Sequence, residues 1–261
     1  MLLTIDAGNT RTKWAVFNRN GEIIQHGACF NDALAGADFS PQLLGYDRVV
    51  ISNVAGKAHA EKLETKLKPY KIPVRWITAS LQVCNVVNSY TEPETLGSDR
   101  WAALIATWHL QHAPCVVVNA GTAITIDALA NSAGNKAEFL GGMILPGLNL
   151  MQASLGIATA QLPKHNAIHN FSADSPQLAV DIFAKSTAQA IHAGALNAVC
   201  GAITRMVDTL TQKCAQTPFI ILSGGNAAII QNNLAGTMAK QTVIIDNLVL
   251  TGLYLLDCSN H

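Results

Sequence analysis

Asp6, Thr10 and Lys13 lie in the run Asp6-Ala-Gly-Asn-Thr-Arg-Thr-Lys13, directly after an apolar stretch. That order suits an anion. A tight turn after a strand exposes backbone N–H groups, and glycine lets an anion approach them closely. The Thr10 hydroxyl adds a donor, Lys13 adds positive charge, and Asp6 offers an oxygen ligand to Mg²⁺. A second run, Asn119-Ala-Gly-Thr122, has the same form: an apolar strand stops at Asp or Asn and is followed by Ala-Gly and a Thr. The offset from Asp6 to Asn119 is 113 residues, close to half the chain. Two such loops facing each other would clamp a triphosphate. The chain has no G-x-x-x-x-G-K-[ST] and no G-x-G-x-x-G after a strand, which excludes the other phosphate cradles. Ordinary hairpin turns use the same residue types and are the plainer alternative.

Gly97-Ser-Asp-Arg100 is the next constellation. Asp99 or its neighbour can cap the helix that follows. Capping does not require Arg100, whereas a carboxylate base beside a cationic anchor suits hydroxyl activation and carboxylate binding. Phe139-Leu-Gly-Gly-Met-Ile-Leu-Pro-Gly147 pairs glycines that let backbone pass close to a ligand or another chain, and Pro146 suits a helix start. Ser223-Gly-Gly-Asn226 either receives a nucleoside at the end of a buried strand or is a plain strand-to-helix turn. Lys164 to His169 spaces His165 and His169 as some zinc sites do, but without the Glu of H-E-x-x-H a surface loop is the better reading.

The elements that position these residues follow from apolar runs and turn signals. Strands are expected at 2–5, 14–17, 22–26, 48–52 and 72–77, with an exposed helix at 57–67. The second half begins the same way, with strands at 115–118, 124–127 and 139–145. Helices then follow at 147–155 and 181–210, strands at 219–222 and 243–245, and a last helix at 248–256. Trp101 to about His112 reads as a helix, with Trp101 and Trp108 on a core or dimer face. The echo suggests duplicated α/β domains facing each other across a cleft, 1–114 and 115–261.

Composition narrows the function classes. Of 261 residues, 49% are hydrophobic and 13% charged, too apolar for intrinsic disorder. Seventeen basic and seventeen acidic residues give no net charge, which disfavours nucleic-acid partners and mildly favours self-association. Trp101 to Ile126 lacks Asp, Glu, Lys and Arg, but polar residues and Pro114 interrupt it, so a buried helix and strand are expected rather than a membrane span. Six dispersed cysteines with no C-x-x-C, and no basic or long apolar leader, point to reduced thiols and a cytoplasmic protein.

Taken together, Asp6–Lys13, Gly97–Arg100, Asn119–Asp127, Gly141–Gly147, Thr187–Gly194 and Ser223–Asn226 resemble, in order and over nearly the whole chain, the motifs of type III pantothenate kinases, the family that includes the Bvg accessory factors. The resemblance implies two ribonuclease-H-like domains of the actin/hexokinase (ASKHA) superfamily with a central cleft. It implies a homodimer that phosphorylates pantothenate with ATP to 4′-phosphopantothenate, the first step of coenzyme A biosynthesis. By motif match, Asp6, Ala7, Gly8, Asn9, Thr10, Arg11, Thr12 and Lys13 form the first phosphate loop, with Asp6 near Mg²⁺, and Thr122 belongs to the second. Asp99 matches the general base, and Tyr90, Gly97, Ser98, Asp99, Arg100 and Thr187 match substrate-contacting positions. The family usually has Asp where this chain has Asn119, and that Asp helps bind an activating K⁺ or NH₄⁺. Asn119 keeps a carbonyl oxygen without the charge, so the cation site is expected to be weakened, moved or lost. The rivals are a regulatory protein of the accessory-factor type and an ASKHA kinase with another acceptor.

Overall fold

The structure is a computed structural model that describes residues 1–40, 44–158 and 181–259. His165 and His169 lie outside the described residues. The chain divides into two units, Met1–Leu110 with Asn247–His261, and Gln111–Asp246.

The first unit is built on strands β1 (Leu2–Ala7), β2 (Arg11–Phe17), β3 (Ile23–Phe30), β4 (Arg48–Asn53) and β5 (Val74–Trp76), in the order β3-β2-β1-β4-β5. β1 to β3 are antiparallel, whereas β4 and β5 run parallel to β1. β1 is central and covered on both faces, so Leu2, Leu3, Thr4 and Ile5 are all buried. β3 exposes Ile24, Gln25, His26, Ala28 and Phe30 and has no buried residue, as an edge strand does. Helix α1 (Lys57–Leu67) supplies the crossover from β4 to β5 and buries His59, Leu63 and Leu67 at helical spacing. A hairpin of β6 (Gln82–Val83) and β7 (Val86–Asn88) precedes helix α2 (Ser98–Gln111). That helix starts three residues before the expected Trp101, so Asp99 sits in its first turn. Trp101 and Trp108 are both buried, so this face of α2 belongs to the core.

The second unit uses β8 (Cys115–Ala120), β9 (Ala123–Ser132), β10 (Lys136–Pro146), β11 (Phe219–Ser223) and β12 (Thr242–Ile244). Their order is β12-β11-β8-β9-β10, the same arrangement with antiparallel β8 to β10 and parallel β11 and β12. β1 and β8 correspond residue for residue at the 113-residue offset, so the duplication read from one short echo extends to five strands in each unit. Helices α3 (Leu148–Ala158), α4 (Thr187–Cys214), α5 (Ala227–Asn233) and α6 (Gly236–Lys240) complete the unit. α4 begins later than the expected 181 because Ser186 caps it, its hydroxyl accepting from Gln189 N at 3.3 Å. α4 is the one described helix long and apolar enough to cross a membrane, and Leu196, Val199, Ile203, Val207 and Leu210 on it are buried in the core of the second unit.

The division differs from the expected 1–114 and 115–261 at the C-terminus. Helix α7 (Leu248–Cys258) returns to the first unit and packs on β1, β2 and β4. Arg48 Nε donates to Asp257 Oδ2 at 2.6 Å, and Arg75 donates to the Leu256 carbonyl at 3.1 Å, so β4 and β5 hold the helix. Gly252 is the close approach: a Cβ there would fall on the backbone of Ala102 in α2. Gly252→Ala is expected to destabilise the protein by about 3 kcal/mol, because a backbone neighbour cannot swing aside. Equilibrium urea unfolding measures this, and an unchanged midpoint would show that the two helices separate freely.

Candidate active site

In the first unit, β1 carries Asp6 next to its last residue, Ala7, and the chain turns back into β2. Asp6 pairs in register with Lys13, and Gly8 N donates to the Arg11 carbonyl at 3.1 Å to close the turn. Asp6 Oδ1 is buried and accepts no hydrogen bond among the described residues. Burial, and to a lesser degree the neighbouring Asp99 charge, push the Asp6 carboxyl up from 3.8 to about 7 against the opposing pull of Lys13. A buried carboxylate oxygen without a protein partner is the kind of donor a hard cation takes.

Asp99 is brought close enough for its charge to act on Asp6, although 93 residues separate them in sequence. The tie between them is Ser52, which lies beside Asp6 on parallel β4 and whose hydroxyl is 2.8 Å from that of Ser98. That contact anchors the first turn of α2 to the sheet. Asp99 Oδ1 accepts from the Arg100 backbone N–H at 2.8 Å, and burial raises the Asp99 carboxyl above its ordinary value. A Cβ on Gly97 would stand 2.6 Å from Asp99 Oδ1, so a side chain there would turn the Asp99 carboxylate from this position. Arg100 is 7% exposed and donates to the Tyr90 hydroxyl at 3.0 Å. Asp6, Lys13, Asp99, Arg100 and Tyr90 therefore lie in one unit.

In the second unit, Asn119 and Ala120 end β8, and Gly121 N donates to the Ala123 carbonyl at 3.1 Å, matching the Gly8 turn. The glycines of the two remaining motifs support this loop. A Cβ on Gly147 would lie 2.5 Å from the Thr122 carbonyl, and one on Gly224 would lie 2.7 Å from the Ala120 carbonyl. Gly147 N also donates to Thr122 O at 2.9 Å, and Asn226 N donates to Ala120 O at 3.2 Å. Pro146 thus ends β10, and Gly147 braces the loop ahead of α3. Thr187 opens α4 in the same unit.

Sequence reasoning missed Ser52, Asn31 and His59. Ser52 had a signal: it ends a buried strand, and ligands gather at the C-terminal edge of parallel strands. Cys115 and Cys200 are buried, Cys29, Cys84 and Cys214 are half-buried, and Cys258 is exposed. Among the described residues no three His, Cys, Asp or Glu side chains cluster as a metal site.

Two units of the same strand order, each with a glycine turn after its first strand, make a duplicated α/β fold. The fold matches a protein described as a 2-dehydro-3-deoxygalactonokinase from Sinorhizobium meliloti with a TM-score of 0.53 at 13% identity, over 97% of each chain. It matches a Campylobacter jejuni protein described as a Baf family transcriptional activator with a TM-score of 0.60 at 20% identity, over 99% of this chain and 98% of that one. Residues 2–209 fit the type III pantothenate kinase family pattern. A type III pantothenate kinase of Methylobacillus flagellatus is 41% identical over 98% of this chain and 97% of its own length. One of Nitrosospira multiformis is 40% identical over 97% and 89%. The chain belongs to the type III pantothenate kinase family.

Proposed function

We propose that the protein transfers the γ-phosphoryl group of ATP to the primary hydroxyl of pantothenate, giving 4′-phosphopantothenate and ADP at the start of coenzyme A biosynthesis. The observation that carries this reading is the half-buried carboxylate Asp99, set beside Arg100 and within electrostatic reach of Asp6 at the phosphate-type turn. Asp99 accepts the hydroxyl proton as the oxygen attacks phosphorus and the bond to the ADP oxygen breaks. Arg100, held by Tyr90, anchors the substrate carboxylate, with Gly97, Ser98 and Thr187 at the remaining substrate positions. The Gly8 and Gly121 turns offer N–H donors to phosphate oxygens, with Lys13 and Thr122 adding charge and a hydroxyl. Asp6 would hold Mg²⁺, which when bound with the nucleotide neutralises phosphate charge.

Ile144, Leu150, Leu155 and Ile157 expose apolar side chains on β10 and α3, and with zero net charge this supports a homodimer. Zero net charge also gives no electrostatic ground for nucleic-acid binding, and a cytoplasmic location fits the metabolic role.

ADP release with Mg²⁺-ATP tests the reading, with and without pantothenate, in Na⁺, K⁺ and NH₄⁺ buffers. Release only with pantothenate is expected. Release without it, or none from folded protein, would move the reading to another acceptor or to a regulatory role. Comparable rates in the three salts are also expected, because the neutral Asn119 oxygen attracts a monovalent cation less than a carboxylate does. A strict K⁺ requirement would mean that another residue supplies that charge.

A further inference from the structure

Three side chains from three separate elements meet behind the first glycine turn. Asn31 follows β3, Thr12 lies on β2 and His59 lies on α1; Thr12 is 0% and His59 6% exposed. Asn31 brackets the turn from both sides. Its backbone N–H donates to the Thr10 carbonyl at 3.1 Å, and its Nδ2 donates to the Gly8 carbonyl at 2.8 Å. A carbonyl oxygen aimed at an anion repels it, so a phosphate turn must send its oxygens elsewhere while its N–H groups face the ligand. Asn31 takes up two of those oxygens.

The hydrogen-bond directions then follow from proton counting. Because Asn31 Nδ2 faces Gly8, Oδ1 faces Thr12 and accepts the hydroxyl proton at 2.9 Å. Thr12 has no second proton to give, so its oxygen accepts from His59 Nε2 at 2.8 Å. His59 is therefore in the Nε2–H form. Burial, and then the positive charge of Lys62, lower its pKa and favour the neutral ring.

We propose that His59, Thr12 and Asn31 form a relay of hydrogen bonds that presets the first phosphate turn for nucleotide by drawing the Gly8 and Thr10 carbonyls away from the anion. They are positioning residues that touch no substrate. The proposal rests on the reading of residues 6–13 as a phosphate loop.

The test measures KM for ATP and for pantothenate, kcat, and thermal midpoint for variants of the full chain. Thr12→Val keeps the shape and removes the relay. It is expected to raise KM for ATP by roughly tenfold, the effect of one lost hydrogen bond, with KM for pantothenate little changed. Thr12→Ser restores the hydroxyl and is expected to restore ATP affinity. His59→Gln, which keeps an N–H donor, is expected to retain more ATP affinity than His59→Leu. NMR of the imidazole nitrogens is expected to show Nε2 protonated, and a bare Nε2 overturns the relay. The relay is also overturned if folded Thr12→Val keeps its ATP affinity, or if Thr12→Ser loses as much as Thr12→Val. Lys13→Ala separates the two levels. If it raises KM for ATP and Thr12→Val does not, the relay alone fails; if neither variant does, the phosphate-loop reading fails with it.

Discussion

Asp99→Asn is expected to lower kcat about a thousandfold while the protein folds as before, within the range that a general base contributes. The substitution is nearly isosteric. Its Oδ1 still accepts from the Arg100 N–H, and the link between Ser52 and Ser98 that seats the helix is untouched. What is lost is the capacity to take a proton. Pantothenate KM should change little, because Arg100 and Tyr90 keep their arrangement. The pH profile gives a second reading. Burial holds Asp99 above the ordinary carboxylate range, so wild-type kcat/KM should rise with pH along a limb displaced upward from that range, then level off. Asp6 is raised as well and feels Asp99, so the limb belongs to the pair rather than to either group. A folded Asp99→Asn protein whose kcat stayed within a few-fold of wild type would falsify the assignment of the base.

Asp6→Asn is expected to stabilise the ligand-free protein and to remove its response to Mg²⁺-ATP. The carboxyl sits at about 7 in the folded chain and near 3.8 when unfolded, so the folded state holds this proton more tightly. Between those two pH values the contribution of Asp6 to stability falls as pH rises, and above about 7 the full penalty remains. The difference corresponds to roughly 4 kcal/mol between protonation states as an upper bound. At pH 8 the neutral amide escapes that penalty, so thermal melts should show a midpoint several degrees above wild type; each kcal/mol is worth about 2–4 °C at this size. Saturating Mg²⁺-ATP should raise the wild-type midpoint and not that of the variant. Turnover should fall on the order of a hundredfold or more, as when a group facing developing phosphate charge is removed. Equal midpoints at pH 8, together with an undiminished Mg²⁺-ATP shift in the variant, would show that Asp6 neither pays a burial penalty nor serves the metal.

The first and second glycine turns, the α2 motif with Asp99 and Arg100, and the duplication are legible in the order of residues alone. Each is a local pattern: strand, turn and strand within a dozen residues, or a helix start with its polar residues adjacent. The family resemblance could be read because those patterns recur in fixed order along the chain. Tertiary structure alone decided which distant residues support them. Ser52 joins Ser98 across 46 residues, and Thr12 joins His59 across 47, with no periodicity linking either pair. The return of α7 to the first unit was equally hidden, because an apolar helix at 248–258 suits either core, and only the fit of Gly252 on Ala102 and the bond from Arg48 to Asp257 select one. The raised carboxyl of Asp6 belongs to the same class. Its residue type is plain in the sequence, but its burial and its nearness to Asp99 are products of packing.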